Sequence, residues 1–92
     1  MIVYMEVEGM ISQSQSLKEK RSVIKSLIAR IRRDFNVSIS EIEFQNVWQR
    51  TKLAVVMVTN DFRYGEQVMQ EIQKLIDKEP QMERTITTVD RI

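Results

Sequence analysis

SLKEKRSVIKSLIARIRRDF, residues 16–35, contains the start, the apolar face and the end of one amphipathic helix. Ser16 and Glu19 have the S-x-x-E spacing of a capping box, in which each side chain accepts a hydrogen bond from the other residue's backbone N–H. Six apolar side chains then recur at helical spacing and predict one buried face: Leu17, Ile24, Leu27, Ile28, Ile31 and Phe35. We expect the helix to end between Asp34 and Asn36, because asparagine tolerates the left-handed conformation of a C-cap.

Four segments around this helix have the patterns of β-strands. Residues 2–8 alternate apolar and more polar side chains. In residues 37–44 the parity of the apolar positions changes near Glu41, which predicts a β-bulge. Residues 51–59 are largely apolar on both parities, as in a central strand, and residues 82–89 are rich in β-branched side chains.

A second amphipathic helix is predicted over residues 62–78, with Asn60 or Asp61 as its N-cap and Pro80 as its stop. The element order is therefore βαββαβ. This order predicts an α+β, ferredoxin-like fold: a four-stranded antiparallel sheet with two helices on one face and the first and third strands in the middle. We expect one domain over residues 1–92.

The chain contains neither cysteine nor histidine. Disulfides and thiolate zinc sites are thereby excluded, and the commonest general base and metal ligand are missing. We therefore expect a protein that is not an enzyme and that has no catalytic residue, metal or cofactor. No apolar run approaches the roughly 18 residues of a membrane helix, and MIVYMEVEG lacks a basic leader, so we expect a cytoplasmic protein without a membrane partner.

The first helix is strongly basic. Residues 17–33 contain seven Lys or Arg side chains and one Glu, a local charge of +6 in a chain of net charge +1. Four of these cations form a stripe beside the apolar face, with Arg33 further round: Lys18, Arg21, Lys25 and Arg32. Such a stripe suits a line of phosphates, whereas the alternative is an ordinary solvated helix face. Cations in a first helical turn interact unfavourably with the helix dipole. Their presence there favours phosphate binding over an ordinary solvated face.

Lys20 lies within the apolar sector of the first turn. One interpretation is that its methylenes cover the core while the ammonium reaches the solvent rim. The other is that the ammonium is held near a loop and contacts a partner. The second interpretation adds Lys20 to the candidate nucleic-acid contacts, which are then Lys18, Lys20, Arg21, Lys25, Arg32 and Arg33.

The connection QNVWQRT, residues 45–51, supplies candidate partner contacts in Trp48, Gln49 and Arg50. Trp and Arg are enriched in binding hot spots. The alternative is that Trp48 folds back onto the core and its indole N–H donates to a carbonyl group.

The sheet face opposite the helices is expected to leave an apolar patch, which favours a homodimer unless charged side chains cover it. The carboxylate pairs Glu6/Glu8 and Glu41/Glu43 each share one face of a strand in this prediction. We interpret both pairs as solvated strand edges.

The motifs SLKEKR (residues 16–21), WQR (48–50) and ERTITT (83–88) together resemble the YlxP-like family of small bacterial proteins, a domain of unknown function. The resemblance covers nearly the whole chain and implies a ferredoxin-like fold in a cytoplasmic protein, and it does not imply an enzymatic activity. Genes of this family often lie among translation and ribosome-maturation genes, which implies an association with ribosomes or RNA.

We therefore expect an accessory protein that binds structured RNA, ribosomal RNA or a ribosomal subunit through its basic first helix. The alternative is a protein-interaction or homodimerisation module that uses the open sheet face and has no nucleic-acid role.

Overall fold

The computed structural model describes all 92 residues and contains the six predicted elements in the predicted order. They are β1 (Ile2–Met10), α1 (Leu17–Asp34), β2 (Ser38–Glu43), β3 (Arg50–Val58), α2 (Phe62–Asp77) and β4 (Glu83–Arg91). The strands form one antiparallel sheet in the order β2-β3-β1-β4. The ferredoxin-like α+β fold, with the first and third strands in the centre, is confirmed.

Helix α1 begins after Ser16 and ends at Asp34, within the predicted bounds, but both caps differ from the prediction in part. Ser16 Oγ accepts a hydrogen bond from the Glu19 N–H at 3.1 Å as predicted, whereas Glu19 Oε2 accepts from the N–H of Gln15 at 2.8 Å and not from that of Ser16. The predicted left-handed cap at Asn36 is wrong, because Phe35 is the C-cap and has an extended backbone. The chain then bends at Phe35 and Asn36, where the N–H of Val37 donates to the carbonyl oxygen of Phe35 at 3.0 Å, and β2 begins at Ser38.

The core lies between the sheet and the helices. Alternate residues of the two central strands are buried beneath α1 and α2: Val3, Met5, Val7, Leu53, Val55 and Met57. The helices contribute Val23, Ile24, Leu27, Ile31, Met69, Ile72 and Ile76. Two polar side chains, Lys20 and Thr51, are fully buried in the same protein interior.

A register shift between Glu41 and Glu43 confirms the predicted bulge in β2. Glu41 is paired with the buried Leu53, whereas Glu43 is paired with Lys52 on the opposite face of the sheet. The expectation that these two glutamates share a face is therefore wrong, because the extra residue of the bulge reverses the alternation.

Gly65 allows α2 to approach β1 closely. A Cβ atom at this position would lie 2.6 Å from Cγ2 of Val3 and 3.2 Å from Cγ2 of Thr59. Both neighbours are β-branched side chains with restricted χ1 angles, so they cannot easily move away. The contact explains a glycine within a helix, where it is otherwise unfavourable.

Gly65→Ala should lower the free energy of unfolding by about 1 kcal/mol. Overpacking costs about 1–3 kcal/mol, and the gain in helix propensity of about 1 kcal/mol offsets only part of it. Urea unfolding measures the difference, with Glu66→Ala at the adjacent exposed position as the control. A Gly65→Ala protein as stable as the parent would contradict the close approach.

Arg84 joins β4 to α2. Its Nε and Nη2 atoms donate to the two carboxylate oxygens of Asp77 at 2.7 and 2.8 Å, and Nη1 donates to Gln73 and Thr87. These hydrogen bonds lower the pKa of Asp77 and raise the pKa of Arg84. The edge strand β4 is thus fixed to the second helix by a bidentate ion pair.

The Asp77–Arg84 pair should stabilise the protein at neutral pH and not in strong acid. A carboxylate with a folded-state pKa below its usual value of about 3.9 contributes stability above that pH, and the contribution is lost as pH falls through the folded-state value. We expect Asp77→Asn to lower the free energy of unfolding by up to about 1 kcal/mol at pH 7, because the pair is partly exposed. Urea unfolding should show a much smaller difference near pH 2, whereas an equal difference at both pH values would exclude the ion pair as its cause.

Candidate functional site

Lys20 is the largest fully buried side chain of the protein. Its Nζ atom lies 2.7 Å from Oε2 of Glu41 and donates to the carbonyl oxygens of Phe44 at 2.7 Å and Gln45 at 3.4 Å. The hydroxyl of Thr51 donates to the same carboxylate oxygen at 2.5 Å. The ammonium therefore has an acceptor for each of its three N–H groups, as a buried cation requires.

Both interpretations of Lys20 placed its ammonium within reach of solvent or a partner, and the structure contradicts both. The side chain has no accessible surface, so it cannot contact a phosphate in this conformation. Lys20 is therefore not a nucleic-acid contact. It connects α1 to β2 and to the β2–β3 loop, residues 44–49.

The β2–β3 loop begins with a strained residue. Phe44 has a φ of 64°, and it is the only non-glycine residue with a positive φ. An aromatic residue rarely adopts this left-handed conformation unless its surroundings impose it. Here its carbonyl accepts hydrogen bonds from Lys20 and from the N–H of Val47, and its ring lies under the Arg50 guanidinium at 3.9 Å.

The predicted partner contacts occupy this loop and the first residue of β3. Trp48 is 46% exposed and its indole N–H has no hydrogen-bond partner within the protein, so it is not a satellite of the core. The backbone oxygen of Gln49 accepts from Ile11 at 3.0 Å, and its side chain is exposed. Arg50 stacks on Phe44 and donates to Glu8 at 3.3 Å, so its guanidinium already has intramolecular partners.

The exposed cations of α1 fall into two groups. Arg30 pairs with Glu79 at 2.7 Å, and Arg33 makes two hydrogen bonds to Asp34 at 2.8 and 3.1 Å. The second pair raises the pKa of Arg33 and lowers the pKa of Asp34. No carboxylate lies within ion-pair distance of the other cations, which we call the basic stripe: Lys18, Arg21, Lys25 and Arg32.

Three residues of the basic stripe line one groove between α1 and β2. The groove has a volume of about 420 Å³ and is lined by Arg21, Ile24, Lys25, Ile28, Ala29, Arg32, Ser40 and Glu41. Arg32 donates to the backbone oxygen of Ile39 at 2.9 Å, and Arg21 donates to Asn46 at 3.3 Å. The one carboxylate in the groove, Glu41, is compensated by the buried Lys20.

The open face of the sheet carries a network of paired charges at its centre. Lys52 lies 3.2 Å from Glu6 and 3.6 Å from Glu43, and the hydroxyl of Tyr4 donates to Glu6 at 2.7 Å. The Tyr4 hydrogen bond and the Lys52 ammonium lower the pKa of Glu6. The hydrogen bonds to Glu6 raise the pKa of Tyr4 and the pKa of Lys52. The interpretation as solvated strand edges is therefore wrong for Glu6 and Glu8, which lie on the central strand β1 and are paired with cations, whereas Glu43 is exposed on the edge strand β2.

One end of the open face is apolar instead. Val58, with 79% of its surface exposed, and Ile92, with 69%, lie beside the half-exposed Ile2. The open face is thus covered by charged side chains over part of its area and bare at this end. No helix combines the length and the apolar character that crossing a lipid bilayer demands.

Lys20→Met should lower the free energy of unfolding by about 3 kcal/mol, because it leaves the Glu41 carboxylate and two carbonyl groups without their cation. Replacing both partners, as Lys20→Met with Glu41→Leu, should recover much of this loss, since two apolar side chains can replace a buried ion pair. Urea unfolding tests both variants. Lys18→Met, at an exposed position of the same turn, is the matched control, and a loss no larger than in this control would contradict the buried contacts.

The comparisons with known proteins agree with this architecture. Residues 2–89 match the family model described as "Protein of unknown function (DUF503)". The chain is 42% identical over 90 residues to the uncharacterized protein YlxP of Bacillus subtilis (strain 168), and the alignment covers 98% of each chain.

Two solved structures share the fold at low sequence identity. SnoaB, a cofactor-independent oxygenase from Streptomyces nogalater, superimposes with a TM-score of 0.63 at 9% identity, over 99% of this chain and 92% of that chain. A de novo designed protein with ferredoxin fold gives a TM-score of 0.60 at 15% identity, over 100% and 87%. These similarities extend to the fold alone. The family match and the YlxP identity lead to one conclusion: the chain belongs to the DUF503 family of proteins of unknown function.

Proposed function

We propose that this protein is a non-enzymatic, cytoplasmic accessory protein that binds structured RNA, free or within a ribosomal particle, through the basic stripe of α1. One observation carries the proposal: the fold provides carboxylates for Lys20, Arg30 and Arg33 and provides none for the basic stripe. Four neighbouring cations without counter-charges are costly in isolation and favourable against a polyanion, because each phosphate contact releases a condensed counterion.

The length of the basic stripe supports a structured ligand. Lys18 and Arg32 are 14 residues apart in one helix, which corresponds to about 21 Å at a rise of about 1.5 Å per residue. A rigid row of this length fits the regularly spaced phosphates of a helical RNA better than a flexible strand. Contacts of this type recognise shape and backbone rather than base sequence.

The sheet face is a poor alternative surface for RNA. Base-stacking domains of comparable topology use aromatic side chains on the central strands. On this face β1 carries Tyr4, whose hydroxyl is held by Glu6, and the cations Lys52 and Arg50 are already paired with carboxylates. The helix face therefore supports RNA binding better than the sheet face does.

A protein-interaction or homodimerisation module remains the second candidate function. The exposed apolar end of the sheet favours it, since Val58 and Ile92 are among the most exposed large hydrophobic side chains. Association through this end would leave the basic stripe free. A protein that forms a stable dimer in light scattering and binds no RNA would favour this candidate over the first.

RNA binding should weaken steeply with salt, and charge reversal in the basic stripe should flatten that dependence. Lys18→Glu with Lys25→Glu changes two side chains that make no intramolecular hydrogen bond or ion pair, whereas Arg32 is left intact because it binds the Ile39 carbonyl. Each phosphate contact that is lost reduces the magnitude of the negative slope of log affinity against log salt by about one. The double variant should therefore have a slope that is shallower by about two. Filter binding of ribosomal RNA or co-sedimentation with ribosomal subunits across a salt series measures this slope.

The matched control is Arg63→Glu with Lys78→Glu. Both side chains are exposed on or beside α2 and have no ion-pair partner, so the control changes the net charge by the same amount on a different surface. We expect it to retain the parent's slope. Equal slopes for the parent and both double variants would exclude the basic stripe as the RNA contact.

A further inference from the structure

The geometry points to a second RNA contact beside the basic stripe: the β2–β3 loop is a binding site for one unpaired nucleobase, which stacks on Trp48. The inference rests on the proposed RNA-binding function and narrows its ligand. The preferred RNA has an unpaired nucleotide beside a double-helical segment, with the helix phosphates on the basic stripe and the free base on the loop.

The loop and the basic stripe are in direct contact. Arg21 Nη2 donates to Asn46 Oδ1 at 3.3 Å, and Trp48 follows Asn46 by two residues. On its other side the loop is joined to the segment before α1 by the hydrogen bond from Ile11 to Gln49. A phosphate held at Arg21 or Lys18 therefore brings the adjoining nucleotide towards the loop.

The buried contacts of Lys20 fix the loop before any ligand arrives. Phe44 keeps a left-handed backbone because its carbonyl is held at 2.7 Å by Lys20 and its ring by Arg50. Strained residues that are held in this way cluster at binding sites. A loop already in one conformation loses little entropy on binding, so an exposed aromatic ring on it can contribute nearly its full stacking energy.

The chemistry of the loop suits a base better than a protein side chain. The half-exposed indole of Trp48 offers a flat surface, and stacking on tryptophan tolerates every base. The flanking side chains Gln45, Asn46 and Gln49 are exposed amides, which donate and accept hydrogen bonds as the edge of a base requires. Residues 44–49 contain no acid, so nothing in the loop repels the attached phosphates.

Trp48 is the only tryptophan in the chain, so its fluorescence reports on this loop directly. The experiment titrates the protein with two RNA hairpins of identical stem, each closed by a non-nucleotide linker so that its loop carries no base. One stem is fully paired and the other has a single unpaired nucleotide. A third hairpin carries an abasic residue at that position. We expect the hairpin with the unpaired base to quench Trp48 emission and to bind more tightly than the other two, while all three retain salt-dependent binding.

Trp48→Ala should weaken binding of the hairpin with the unpaired base by about five- to 150-fold, which is the change in affinity that the loss of one stacked base produces. Binding of the paired hairpin should be unaffected. Trp48→Phe should keep part of the preference, because phenylalanine still stacks. Tyr64→Ala removes another exposed aromatic ring, on α2, and is the control for loss of surface area.

The outcomes separate this inference from the proposed function. Salt-dependent binding of all three hairpins with equal affinity and unchanged Trp48 emission would overturn the base site and leave the basic stripe supported. A Trp48→Ala effect of the same size on every hairpin would also overturn it, because the contact would not depend on an unpaired base. Absence of binding to any hairpin would overturn both proposals.

Discussion

The buried Lys20 ammonium is the contact on which the rest of the structure depends. A charge taken out of water costs several kcal/mol unless it is paired and hydrogen-bonded, so its partners must stay together. Those partners are Glu41 of β2 and the carbonyl groups of Phe44 and Gln45 in the β2–β3 loop, while Lys20 itself belongs to the first turn of α1. The rotation of α1, the side of the sheet on which Glu41 lies and the left-handed conformation of Phe44 all meet at this one contact.

The same contact determines which charges reach the surface. Lys20 and the apolar face of α1 are turned inward, which leaves cations on the helix flank beside β2. No acid of β2 is free to pair with these cations, because Glu41 is held by Lys20 and Glu43 lies on the other face of the sheet. The carboxylates of β1 are held on the open face by Lys52 and Arg50. A chain of net charge +1 thus presents a basic helix flank and a sheet face whose charges are paired.

The ferredoxin-like fold is compatible with many functions, and the solved structures that share it include a protein called an oxygenase and a designed protein. The proposed RNA binding depends on particular side chains, the unpaired cations of α1 and the exposed Trp48. Lys20 holds the loop that carries Trp48, and Arg21 of the basic stripe contacts the same loop at Asn46. These contacts place the two surface features side by side.

Local patterns were sufficient for the elements and the fold. The N-cap at Ser16, the apolar periodicity of α1 and the change of parity near Glu41 involve neighbours along the chain. They correctly predicted the start of α1, the burial of Ile24, Leu27 and Ile31, and the bulge in β2. The basic stripe was also visible, because helical spacing alone places Lys18 and Lys25 on one flank.

Which charges are available at the surface depends on contacts between distant segments. Local patterns could not distinguish Lys20 from Lys18, since the partners of Lys20 lie more than 20 positions along the chain and meet it only when β2 docks on α1. The pairing of Arg30 with Glu79, the stacking of Arg50 on Phe44 and the exposure of Trp48 depend on the fold in the same way. Periodicity identifies the face on which a side chain lies, but its partner is determined by the surfaces that folding brings into contact.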